Sequence, residues 1–174
     1  LVFNDAMIHV CSLAKLHGTV HATGARHVVT LLKEISLVER PPAVTAENHL
    51  HIDVDDIAMP MDGYNHPCEE HVGRLIKFVR GWDRAAPMVI HCYAGISRST
   101  ASAYAAACAL NPERDEIAIA WELRRASRTA MPNRLIVALA DRLLKRDGRM
   151  IAAIETIGPG EAAYVGEPFR LELA

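Results

Sequence analysis

A chain of 174 residues, 51% hydrophobic and 23% charged, has enough apolar material for one core and too little length for two ordinary domains. That composition excludes a disordered chain, and no apolar run reaches the ~18–20 residues that cross a bilayer. A formal net charge of −2 gives no reason to expect a nucleic-acid or anionic-membrane partner.

In chain order, "AMIHVCSL" predicts a short apolar strand, ended by the polar, glycine-containing "AKLHGTVHATGARH". "VVTLLKE" fits a strand or a helical turn, and "RPPAV" breaks the chain. "HLHIDV" alternates as a strand and runs into the acidic loop "DDIAMPMDGYNHP". From Glu69 the period changes: Val72, Leu75, Ile76 and Val79 line one helical face that ends near Gly81. "APMVIHC" predicts a compact buried strand. "STASAYAAACALNP" predicts a small-residue helix stopped by Pro112, "RDEIAIAWELRRAS" a third helix and "NRLIVALADRLLKRDG" a fourth, with Asn133 as its cap. "RMIAAIETIG" fits another short helix, and the tail from Pro159 is weakly patterned. The alternation predicts a single three-layer α/β domain over residues 1–174, with a mostly parallel sheet of four or five strands flanked by helices.

Ligands of such sheets bind beyond the carboxyl ends of the strands, where "HCYAGISRST" falls. A turn of five residues between Cys92 and Arg98 can bring successive amides to one point, and its exit into a helix adds free N-terminal amides. Gly95 permits the close approach such a loop demands. Arg98 supplies a planar fork matched to two phosphoryl oxygens. The same donors would favour a thiolate at Cys92, so one positive environment would both activate a nucleophile and bind a dianion.

"HCYAGISRS" resembles the signature of the cysteine-dependent protein tyrosine phosphatase superfamily, and most closely that of its small dual-specificity branch. The resemblance runs from "HLHIDVDD" to "PNRLI". It implies that Cys92 is the nucleophile of a thiophosphate intermediate and that Arg98 clamps the phosphate. It implies that Ser99 eases the cysteine's departure, and that His91 holds the loop from behind. Tyr93, Ala94, Gly95, Ile96 and Ser97 would offer mainly backbone amides.

The resemblance also implies a general acid on a loop after a strand upstream. Asp56 and Asp62 lie 36 and 30 residues before Cys92. Register favours Asp56; the longer "IAMPMDGYNHP" loop keeps Asp62 as the alternative, and Asp55 stands behind both. His49 and His51 share a strand face, a pairing seen in metal hydrolases, but those draw ligands from many strands. They read as ordinary strand residues, and no metal or organic cofactor is expected. His66, Cys68 and Tyr64 could approach the pocket mouth, and Cys68 and Cys11 could serve as resolving thiols. Arg124, Arg125 and Arg128 read as a solvated basic face, and Trp121 as core. The segment from Ser127 to Asn133 resembles one that supports the phosphate loop, without an intact arginine–proline pair, so Arg128 is only a possible support.

The expected activity is phosphomonoester hydrolysis on phosphotyrosyl proteins, with phosphoserine and phosphothreonine as further substrates and small phosphomonoesters accepted in vitro. A non-catalytic phosphoresidue-binding module and a different C-x5-R enzyme, such as an arsenate reductase, are the alternatives. Four cysteines without a disulfide-like spacing, and no visible secretory leader, lead us to expect a reduced, cytoplasmic protein.

Overall fold

The structure, a computed structural model, describes residues 7–173. Five strands, β1 (Met7–Ser12), β2 (His27–Leu31), β3 (His49–Ile52), β4 (Met88–Cys92) and β5 (Phe169–Glu172), form one sheet in the order β3-β2-β4-β1-β5. The first four are parallel; β5 runs antiparallel to β1 at the edge. β4, "MVIHC", is central and buried at every residue, as a strand covered on both faces must be.

The two faces follow from strand alternation. Ile8 and Val10 of β1, Val29 and Leu31 of β2, and Met88, Ile90 and Cys92 of β4 point to one side. Helices α2 (Glu69–Arg80), α3 (Arg98–Leu110), α4 (Glu116–Ala126), α5 (Arg134–Leu143) and α6 (Arg149–Ile157) contribute to that core. Val28, Val89 and Cys11 point to the other side, against Leu16 and Val20 of α1 (Leu16–Thr23). The architecture is the expected α/β one, with one helix on one face and five on the other.

α3 sits at the heart of the larger layer and is buried from Ser99 to Ala109. Its alanines let it approach the sheet closely, which sets the helix start directly behind the end of β4. α2 buries the predicted stripe Val72, Leu75, Ile76 and Val79, each worth roughly 1.5–3 kcal/mol of transfer free energy. α5 begins at the expected cap: Asn133 Oδ1 accepts from Leu135 N at 3.1 Å and Ile136 N at 3.0 Å.

Two expectations needed correction. The polar stretch after β1 is helix α1, because Leu16, Thr19 and Val20 form a short buried stripe between His17, Gly18 and His21. The helix closes on Gly24 in the left-handed region (φ 70°). The weakly patterned tail ends in β5, whose alternation is only four residues long and whose pairing with β1 comes from the far end of the chain. Among the described residues, no helix is long and apolar enough to cross a membrane.

Candidate active site

Residues Cys92 to Arg98 join the end of β4 to the start of α3. Neighbouring segments take the loop's carbonyls from outside. Tyr93 O accepts from Leu13 N (3.1 Å), Ala94 O from Gly166 N (2.8 Å), Ile96 O from Met131 N (2.9 Å), and Ser97 O from Asn133 N (3.2 Å). Thr100 Oγ1 adds bonds to Ile96 O and Ser97 O. Among the described residues, nothing accepts from the amides of Ala94, Gly95, Ile96 or Ser97. Carbonyls committed outward and amides left free make an anion-binding concavity, continued by the α3 N-terminus.

Gly95 is required there. Its φ is +70°, and a Cβ would stand 2.8 Å from the Cys11 carbonyl carbon and 2.9 Å from Ser12 N. The loop therefore lies directly on the end of β1, and only a glycine fits.

At the base of the concavity, Cys92 is buried and its Sγ lies 3.1 Å from Oγ of the buried Ser99. With the thiol ionised, the Ser99 hydroxyl is the donor to sulfur. Arg98 Nη1 donates to Val54 O just beyond β3 at 3.0 Å, while Nε is buried without a partner among the described residues. One edge of the guanidinium is thus anchored and the other remains free to bind an anion.

Among the described aspartates, Asp56 is the one bonded to the loop. Its Oδ1 accepts from Ser97 Oγ at 2.7 Å and from Asn133 Nδ2 at 2.9 Å. Asp55 braces its own segment, accepting from Asn65 N at 2.7 Å and lying 3.7 Å from Lys33 Nζ. Asp62 sits in an exposed turn and makes no hydrogen bond to the Cys92–Arg98 loop among the described residues. In the sequence Ser97 reads mainly as a backbone amide, and Asn133 as a cap at the end of a segment resembling one that supports the loop. In the structure both side chains donate to Asp56, from positions 41 and 77 residues away in sequence.

Behind the loop, His91 is wholly buried, and its Nε2 lies 2.7 Å from Thr30 Oγ1. Burial lowers its pKa to about 4, so the ring is neutral near pH 7. Tyr93 and Tyr64 are exposed. Arg124 departs from the solvated-face expectation: its guanidinium donates to the carbonyls of Ser127, Arg128, Ala130 and Gly158 at 2.7–3.2 Å. It thereby shapes the segment whose Met131 and Asn133 amides hold the loop. Arg128 instead is exposed, 3.9 Å from Glu161. Trp121 is 40% exposed and is not core.

Cys11 faces the α1 side of the sheet, opposite Cys92, and burial raises its pKa to about 11. Cys68 caps α2 with its Sγ 3.5 Å from His71 Nδ1. His66 Nδ1 lies 2.9 Å from Pro67 O. His49 and His51 are spent on Thr30 Oγ1 (2.7 Å) and Leu32 O (2.9 Å), and no cluster of three metal-ligating side chains occurs among the described residues.

No family model and no curated protein matches this sequence. Solved structures do match. The Cydia pomonella PTP-2 phosphatase superposes with a TM-score of 0.60 at 18% identity, covering 79% of this chain and 89% of its own. DUSP15 gives 0.58 at 17% identity over 91% and 99%, and Tk-PTP in its active form 0.54 at 18% over 83% and 95%. The chain therefore has the fold of the cysteine-dependent tyrosine and dual-specificity phosphatases.

Proposed function

We propose that this chain is a phosphomonoesterase that removes phosphate from phosphotyrosyl proteins, with phosphoserine and phosphothreonine as further substrates. The observation that carries this reading is the loop with its free amides, Cys92 at its base and Asp56 bonded to its rim. The Cys92 thiolate attacks phosphorus in line; the S–P bond forms as the P–O bond breaks. Asp56 gives its proton to the leaving oxygen. Water then attacks the thiophosphate, Asp56 takes its proton, and Ser99 donates to the departing thiolate. Amides of the loop and the free edge of Arg98 stabilise the equatorial oxygens in both steps. The scheme calls for no metal or organic cofactor.

The catalytic unit is one domain spanning the chain, a reading supported by the pairing of β1 with β5. Four free thiols support a reducing, cytoplasmic setting. The test is hydrolysis of p-nitrophenyl phosphate in the presence of EDTA by wild type and Cys92→Ser. Chelator-resistant turnover lost in Cys92→Ser is expected. A wild type that binds vanadate or phosphate without turnover would be a phosphoresidue-binding module instead.

A further inference from the structure

Ser12 closes β1 and is 1% exposed, yet its hydroxyl has no hydrogen-bond partner among the described residues. In the parallel pairing of β1 with β4, its Cα is matched with that of Cys92. Strand alternation turns Ser12 to the side of Ile8 and Val10, the face from which Cys92 also projects. The loop lies over its backbone, where a Cβ on Gly95 would stand 2.9 Å from Ser12 N, and α3 packs across the same strand. The hydroxyl is therefore enclosed beside Cys92, at the base of the loop.

A buried hydroxyl without a partner is costly, and native folds keep few of them. Alanine would fill the same place without that cost. The thiol form of Cys92 gives Ser12 nothing to bond, because the sulfur donates its hydrogen to Ser99 Oγ at 3.1 Å. A thiolate has lost that hydrogen and takes donors instead, and bonds to an anion are the strong ones. Neighbouring strands lie about 4.8 Å apart, so a turn about the Ser12 Cα–Cβ bond can carry Oγ toward the sulfur.

We propose that Ser12 is a second hydroxyl donor to the Cys92 sulfur, engaged when the thiol ionises. The proton leaves sulfur for solvent, the Ser99 hydroxyl turns to donate, and Ser12 rotates to donate from the β1 side. The two serines then hold the thiolate between sheet and helix. The consequence for turnover rests on the reading of Cys92 as nucleophile; the hydrogen bond does not. The charged and titratable groups around Cys92 are Arg98 at the start of α3, Asp56 bonded to the loop through Ser97, His91 on its own strand and Cys11 on the opposite sheet face. Substituting Ser12 changes none of them.

The test is the rate of Cys92 alkylation by iodoacetamide against pH, read by peptide mass analysis in wild type and Ser12→Ala, with and without inorganic phosphate. Removing a donor to the anion should move the midpoint of the profile up by roughly one pH unit, so that alkylation on its acid side slows about tenfold. Protection by phosphate should change less than about twofold, since the loop amides bind it. In a Cys92→Ala background the hydroxyl has no anion to serve, and adding Ser12→Ala should leave the urea midpoint unchanged or raise it. An unchanged alkylation midpoint would overturn the proposal. So would a matching loss of phosphate protection, which would mean that the loop has moved, or a lowered urea midpoint in the Cys92→Ala background. If Ser12→Ala fails to fold, the double variant decides: the proposal requires it to fold, and its failure overturns the proposal. A wild type inactive on p-nitrophenyl phosphate, with the alkylation shift intact, would defeat the phosphatase reading and leave the hydrogen bond standing, so the two failures are distinguishable.

Discussion

Asn133 Nδ2 donates to Asp56 Oδ1 at 2.9 Å across 77 residues of sequence, while Asn133 Oδ1 caps α5. One side chain thus carries both a stability role and a positioning role, and substitutions can separate them. Serine is an equally good N-cap but cannot reach Asp56 with an amide. Asn133→Ser should keep the melting behaviour within about 0.5 kcal/mol of wild type and still lower kcat, roughly tenfold for a loosened acid. Asn133→Ala should lose activity and about 1 kcal/mol of stability together. Thermal melts beside steady-state rates check both; equal activity in wild type and Asn133→Ser would remove Asn133 from the site.

Asp56 and Asp62 are told apart by leaving group. Asp56→Asn should cost roughly a hundredfold or more on phenyl phosphate, whose leaving oxygen needs a proton. The loss should shrink on substrates with acidic phenols. Asp62→Asn, in an exposed turn, should match wild type on both. A leaving-group series for the two variants reads the result directly, and a selective loss in Asp62→Asn would move the acid to that turn.

Gly166 tests how far the tail supports the loop. Its amide donates to Ala94 O at 2.8 Å, and a Cβ there would stand 2.8 Å from Gly95 O. Gly166→Ala should therefore displace the loop, cost about 1–3 kcal/mol and reduce turnover although it touches no substrate. Gly73→Ala, inside α2 with open space around it, should gain up to about 1 kcal/mol and leave turnover unchanged. Urea unfolding and rates on the pair settle it.

The buried ion pair of Glu116 and Arg146, 2.7 Å apart, sets an acid limit on the fold. Burial alone would raise the Glu116 carboxyl, but hydrogen bonds from Arg146 and Arg149 outweigh it and hold the pKa below its ordinary value. A carboxyl depressed in the folded state contributes stability above its unfolded pKa, and that contribution is lost as pH falls through the folded pKa. Wild-type stability should therefore drop on acidification below the ordinary carboxylate range, and Glu116→Gln should flatten that drop. Arg146→Met leaves Glu116 only the partly exposed Arg149 as partner, so it should destabilise the fold at neutral pH by less than the roughly 3–5 kcal/mol of a wholly unpaired buried charge. Melting curves against pH for the three proteins provide the check.

The site was legible where its chemistry is local. "HCYAGISRS" announces strand, turn and helix start together, because an anion cradle is a contiguous piece of backbone. Register singles out Asp56 at the end of a strand, and its carboxylate accepts from Ser97 and Asn133. What escaped is what the fold brings from a distance. Thr30 reads as one more β-branched strand residue, and Gly166 as one glycine in an unpatterned tail. Arg124 reads as one of three surface arginines, yet its guanidinium gathers four carbonyls. None of these carries a local period or spacing, since their partners lie on other elements. α1 and β5 were missed for a related reason: each buries so few residues that its stripe is shorter than the pattern needed to read it.

A covalent phosphate on Cys92 can be trapped by rapid acid quench of the enzyme during turnover of p-nitrophenyl phosphate, followed by peptide mass analysis. A phosphate adduct is expected on the peptide bearing Cys92, enriched in Ser99→Ala because the departing thiolate loses its donor, and absent in Cys92→Ser. Turnover at the wild-type rate in Cys92→Ser, or an adduct on any other residue, would contradict it.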